Sequence, residues 1–143
     1  NLIDEATARV MKAHGAYLVP TLATYAALAD EGQRLGWSAA MLDKLAQVHA
    51  HGVESLRIAK AEGVPIVFGT DLLGHMHAQQ SNEFGLRAAV VPPLELLQSA
   101  THTAAQLLRQ EGRIGQITPG AWRSADRGAP LPMGQALCSG KPR

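Results

Sequence analysis

Asp71 closes an apolar run, VPIVFGTD (64–71), and His75 and His77 follow within the next six residues. Carboxylates and imidazoles move protons and hold divalent metals. A carboxylate at the carboxyl end of a strand stands where α/β sheets and barrels carry out their chemistry. The competing reading is that Asp71 caps the turn that follows it through its own side chain. Gly69, just before, lets a neighbouring backbone or ligand approach closely. His75-Met76-His77 has the spacing of a His-x-His chelate and, with Asp71, offers three donors for a small self-contained metal site. Residues two apart share a face only in an extended segment, and these lie beyond Gly74 in a loop. Substrate-contacting histidines at a pocket mouth are therefore the alternative. His49 and His51 fall in a helical pattern, where two residues apart point about 200° apart, so a shared metal does not suit them. His14 and His102 suit helix surfaces or caps. Tyr25 follows a second apolar run, AYLVPTL (16–22), and either lines the same mouth or packs.

These residues need elements to position them. Ile3, Ala6 or Thr7, Val10 and Met11 recur at helical spacing, with Asp4 and Glu5 in the first turn and Gly15 as the stop. Residues 16–22 read as a strand ending at Pro20. A polar connection leads to Ser38, an N-cap for a long helix with Met41, Leu45, Val48, Leu56 and Ala59 on one face. Gly63 ends that helix. Residues 64–71 then form a continuous apolar run of the kind shown by parallel strands covered on both faces. A His-, Gln- and Gly-rich loop leads to a short helix capped by Ser81. Pro92-Pro93 opens a further helix with Leu94, Leu97, Thr101, Ala104 and Leu108 on one face, ended by Gly112. Alternation of helix and strand signals βαβ units and a parallel sheet. Two strands do not make a stable covered sheet, so more strands are expected from residues outside this chain. From 121 to 143 there is no periodicity, and Gly, Pro, Arg and Ser accumulate.

Bulk properties exclude several classes. The 143 residues are 46% hydrophobic, 17% charged and only 4% aromatic, with a formal net charge of +1. That balance carries no nucleic-acid footprint and no polybasic membrane anchor. The single cysteine, Cys138, forbids an internal disulfide and suits a reducing, cytoplasmic setting. No apolar run approaches the ~18 residues of a membrane span. The chain opens inside a helical pattern without Met or a signal peptide, and reads as a piece of something longer.

LVPTLATY (18–25), AEGVPIVFGTDLLG (61–74), HMHAQQSNEF (75–84) and PLELLQSATHTAAQLL (93–108), in this order, resemble the amidohydrolase superfamily. The nearest branch is the imidazolonepropionase-like and Xaa-Pro or Xaa-Arg dipeptidase-like enzymes. The resemblance implies the C-terminal part of a (β/α)8 metal-dependent hydrolase barrel. Residues 1–111 would carry strands seven (16–22) and eight (64–71) with their flanking helices, and 112–120 would be the barrel exit toward a β-sandwich. It further implies that Asp71 is the strand-eight aspartate, which contacts the metal, takes the proton of the activated water and passes it to the leaving amine. A metal lowers the pKa of bound water from about 15.7 to about 7, so one carboxylate can shuttle that proton. Tyr25, His75 and His77 match positions near the substrate pocket. The cofactor implied is a divalent metal, usually zinc. The substrates implied are small amides: dipeptides, N-acyl amino acids or cyclic amides.

The family's other ligands lie on strands one, four, five and six, none of which this chain contains. Asp71 alone would hold a catalytic metal poorly, since such sites use about three protein ligands. The expected partner is therefore a missing N-terminal half-barrel, with self-association if the chain stands alone. A catalytically inert truncated product is the alternative reading. After Pro119-Gly120-Ala121 the family's Ala-Asp-Leu-Leu pattern is replaced by WRSADRG (122–128). A coding shifted by one base turns Ser-Ala-Asp-Arg-Gly into Leu-Leu-Ile-Val, which predicts a frameshift near Ala121.

Overall fold

The structure, a computed structural model, describes residues 2–122. Helix α1 (Glu5–Ala13) starts where the Asp4 carboxylate accepts from Thr7 N–H at 2.8 Å. Hydrogen bonding from the Thr7 side chain, and then from its backbone N–H, holds the Asp4 carboxyl below its usual range. Ile3 N–H donates to Ser55 Oγ, tying this end of the chain to helix α3 (Ala39–Ala61). Helix α3 opens at Ser38, whose hydroxyl accepts from Met41 N–H. Its lower half is buried through Gly52, Ser55, Leu56 and Ala59, whereas Met41 is exposed. Ala8, Leu18, Ala59 and Val64 make one core cluster, and Leu22, Leu56, Val91 and Leu96 a second.

The two extended segments meet in parallel, but at a single bridge. Leu18 N–H donates to Pro65 C=O and Val67 N–H donates to Leu18 C=O, both at 2.9 Å. In a parallel ladder the flanking bonds would need N–H groups at residues 20 and 65. Both positions are proline, which has no N–H. Among the described residues neither of the expected strands, 16–22 or 64–71, is formed: the two segments share this one parallel bridge and no ladder.

Three further differences are instructive. The polar connection contains helix α2 (Leu22–Arg34), whose Leu22, Ala23, Thr24, Ala27 and Gly32 are buried. Its small residues let it lie close along α3. The His-rich loop is a 3₁₀ helix, Gly74–Gln79, leading to α4 (Asn82–Arg87), which Ser81 precedes without a side-chain cap. The long helix after Pro92 is two, α5 (Pro93–Ala100) and α6 (His102–Leu107), broken at Thr101 with φ −126° and ψ −87°. Their buried residues are Leu96, Ser99 and Ala105, while Leu94, Leu97 and Leu108 are 60% or more exposed. The leucines that share a face by helical spacing are thus turned outward.

Beyond α6, Trp122 N–H donates to Arg113 C=O, and the Arg113 guanidinium lies 4.5 Å from the Trp122 ring centroid. Of the tail expected from residue 121, all beyond Trp122 lies outside the described residues, and with it the proposed frameshift. Among the described residues no helix is long and apolar enough to cross a membrane.

Candidate active site

Asp71 ends the second extended segment in the left-handed region, φ +53°, and is exposed. Thr21, at the matching end of the first segment, also has a left-handed φ of +50°. Non-glycine residues rarely adopt this conformation, which costs on the order of 1–3 kcal/mol and concentrates at functional turns. Both outliers sit at the carboxyl ends of parallel neighbours, so the strain lies at one end of the pair. The backbone around Asp71 is pinned on two sides. Thr24 Oγ1 donates to Asp71 C=O at 3.1 Å, and Leu72 is buried with Ala23 and Ala27 of α2. Gly69 allows the two segments to touch: a Cβ there would stand 2.5 Å from Val19 Cγ1. The close approach read from the sequence is thus to a neighbouring side chain.

Tyr25 is half-buried in the first turn of α2, directly after Thr24. His75 and His77 are exposed on the 3₁₀ helix, and His75 Nε2 lies 3.5 Å from Glu31 Oε2 of α2. Asp71 and Tyr25 therefore lie by the first turn of α2, whereas His75 lies against Glu31 toward its other end. They do not converge on a common ion. Among the described residues no group of three or more His, Cys, Asp or Glu could hold a metal. The donors of this chain do not by themselves fit a catalytic metal centre.

One residue that positions the site escaped the sequence reading. Thr21 gives α2 no side-chain cap, so the first N–H groups of the helix need an acceptor from elsewhere. Glu83 Oε2, from α4, accepts from Ala23 N–H at 2.7 Å. Glu83 is fully buried, and burial pushes its carboxyl above the ordinary range, opposed by the Ala23 hydrogen bond and by Arg87. The cap holds the turn that carries Thr24, and through Thr24 the backbone of Asp71. Sixty residues separate Glu83 from Ala23, and no local pattern signals such a reach. Behind it, Phe84 stacks on Phe68 at 4.3 Å between centroids, fixing α4 to the segment that leads to Asp71.

The sequence profile of the Amidohydrolase family matches residues 2–122. The chain belongs to the amidohydrolase family. Similar solved structures agree. A prolidase complexed with N-methylphosphonate-L-proline is 50% identical, with a TM-score of 0.78 over 85% of this chain and 30% of its own. An amidohydrolase is 47% identical, with a TM-score of 0.77 over 83% of this chain and 29% of its own. A Xaa-Pro dipeptidase with bound methionine in its active site is 29% identical, with a TM-score of 0.71 over 83% of this chain and 30% of its own. This amidohydrolase chain thus spans less than a third of the length of those relatives. No functionally curated protein matches it.

Proposed function

We propose that this chain is the C-terminal part of an amidohydrolase barrel that cleaves amide bonds of small substrates, with dipeptides ending in proline as the first candidates. The observation that carries the reading is Asp71: an exposed carboxylate in a strained turn at the carboxyl end of a parallel segment, pinned by Thr24 and Leu72. Half identity to a prolidase over most of the chain supports the substrate class.

In this reading Asp71 moves one proton. It accepts the proton of the attacking water and returns it to the amide nitrogen as the C–N bond breaks, a role worth about 10²–10⁴ in rate. Glu83 and Thr24 act as positioning residues, holding the Asp71 backbone from α2. Tyr25, His75 and His77 flank the substrate. The divalent metal of the complete enzyme, zinc in the usual case, takes its remaining ligands from residues outside this chain. The inert-product reading differs in one respect: it expects no rescue by the rest of a barrel.

The test is a chimera in which residues 2–122 replace the matching segment of the 50%-identical prolidase. The chimera is expected to hydrolyse Xaa-Pro dipeptides, whereas the chain alone does not and shows no zinc binding in the micromolar range. A folded chimera without activity would contradict the proposal and favour the inert product.

A further inference from the structure

Leu73 stands two residues beyond Asp71 and is 69% exposed, whereas Leu72 between them is buried with Ala23 and Ala27 of α2. The two leucines therefore point to opposite sides of the chain. Scattered exposed leucines are ordinary; this one is set apart by its backbone, which is held on both sides. Thr24 Oγ1 fixes the Asp71 carbonyl, and Leu73 C=O accepts from Met76 N–H at 3.1 Å. Met76 in turn packs against the Leu72 cluster. Leu73 itself is extended, with φ −114° and ψ 147°, and a Cβ added to Gly74 would meet nothing within 4 Å. A large apolar side chain thus projects from a fixed turn into open space beside the Asp71 carboxylate.

The chemistry assigned to Asp71 decides which part of a substrate comes nearest to Leu73. To return a proton to the amide nitrogen, the carboxylate must approach it to about 2.6–3.2 Å. The other atoms bonded to that nitrogen belong to the departing residue, and in a prolyl dipeptide they are ring carbons. Residues two apart have Cα atoms at most ~7 Å apart, so this ring falls within reach of the Leu73 side chain. The acyl residue lies beyond the scissile bond, farther from Asp71. Leu94, Leu97 and Leu108, equally exposed, lie along α5 and α6 instead.

We propose that Leu73 determines specificity on the leaving side: its side chain forms an apolar wall against the ring of the departing residue and selects proline over glycine there. The inference rests on the proposed dipeptidase activity and names one contact within it. Ligand pockets set a few polar groups among apolar side chains; here Asp71 supplies the first and Leu73 the second. Because the turn is already held, little ordering entropy is lost when substrate arrives. One methylene in an apolar pocket changes discrimination about 10–200-fold, so a single wall of this kind suffices to separate the two residues.

The zinc-loaded chimera provides the test, read by calorimetric binding of two probes. One is N-methylphosphonate-L-proline, the ligand of the 50%-identical prolidase; the other is its glycine counterpart, which lacks the ring. Leu73→Ala is expected to weaken the proline probe at least tenfold and the glycine probe less than twofold. The urea midpoint should stay in place, and Leu73→Met should bind both probes as the unsubstituted chimera does. A change of less than twofold on the proline probe would overturn the assignment. Equal weakening of both probes with a lowered urea midpoint would overturn it too, because Leu73 would then be packed beneath the rest of the barrel. A folded chimera that binds neither probe would sink the dipeptidase reading and this inference with it. One that binds the proline probe and is indifferent to Leu73→Ala sinks this inference alone.

Discussion

At the scale of single residues, two carboxylates divide the labour. Asp71 is exposed in the left-handed turn that follows residues 64–70, and Glu83 is buried where it holds the first turn of α2. Asp71 was conspicuous in the sequence because it closes an apolar run at Gly-Thr-Asp. Glu83 was not, because its partner is a helix N-terminus sixty residues away in sequence. Glu83 also makes a pH prediction. Burial raises its carboxyl in the folded protein, so its contribution to stability is full below the unfolded value of about 4.3 and is lost as pH rises through the folded value. Urea midpoints of the chimera should therefore rise as pH is lowered from 7 toward about 5, and Glu83→Gln should flatten that slope. Equal slopes in the two proteins would remove Glu83 from the account.

At the scale of elements, two prolines explain why the strands shrink to one bridge. Pro20 and Pro65 remove the donors on either side of Leu18 and Val67. The parallel pairing was legible, since the apolar run and its flanking helix imply it; the ladder's length depended on register, which no single segment carries. Helix α2 was hidden because its opening Thr21 is left-handed and its cap comes from α4. The leucine spacing after Pro92 was legible, but helical spacing alone does not say which side meets the chain's own core, and Leu94 and Leu97 are exposed. The contact that sets strand spacing is Gly69 under Val19. Gly69→Val should cost about 1–3 kcal/mol through overpacking and lower activity of the chimera, whereas Gly63→Ala, with only the flexible Lys12 side chain nearby, should lower its stability without moving KM. Leu56→Ala, which empties a fully buried site beside Leu22, should cost about 2–5 kcal/mol, read from chemical denaturation of the chimera.

At the scale of the whole molecule, apolar surface is left over. Leu94, Leu97, Leu107 and Leu108 are exposed along α5 and α6, and Ile66 keeps a free edge donor. Exposed apolar faces and open strand edges favour association. The chain alone should self-associate at micromolar concentration in sedimentation experiments, and the chimera should be monodisperse to a greater degree; a monomeric chain with a sharp cooperative transition would speak against a partial barrel. The central claim is that this chain delivers a proton-moving carboxylate to an amide-cleaving site. The kcat of the chimera on a Xaa-Pro dipeptide, compared with that of its Asp71→Asn variant, tests it most directly. The account predicts a loss of about 10²–10⁴ with the fold unchanged by circular dichroism, and a loss of less than threefold would contradict it.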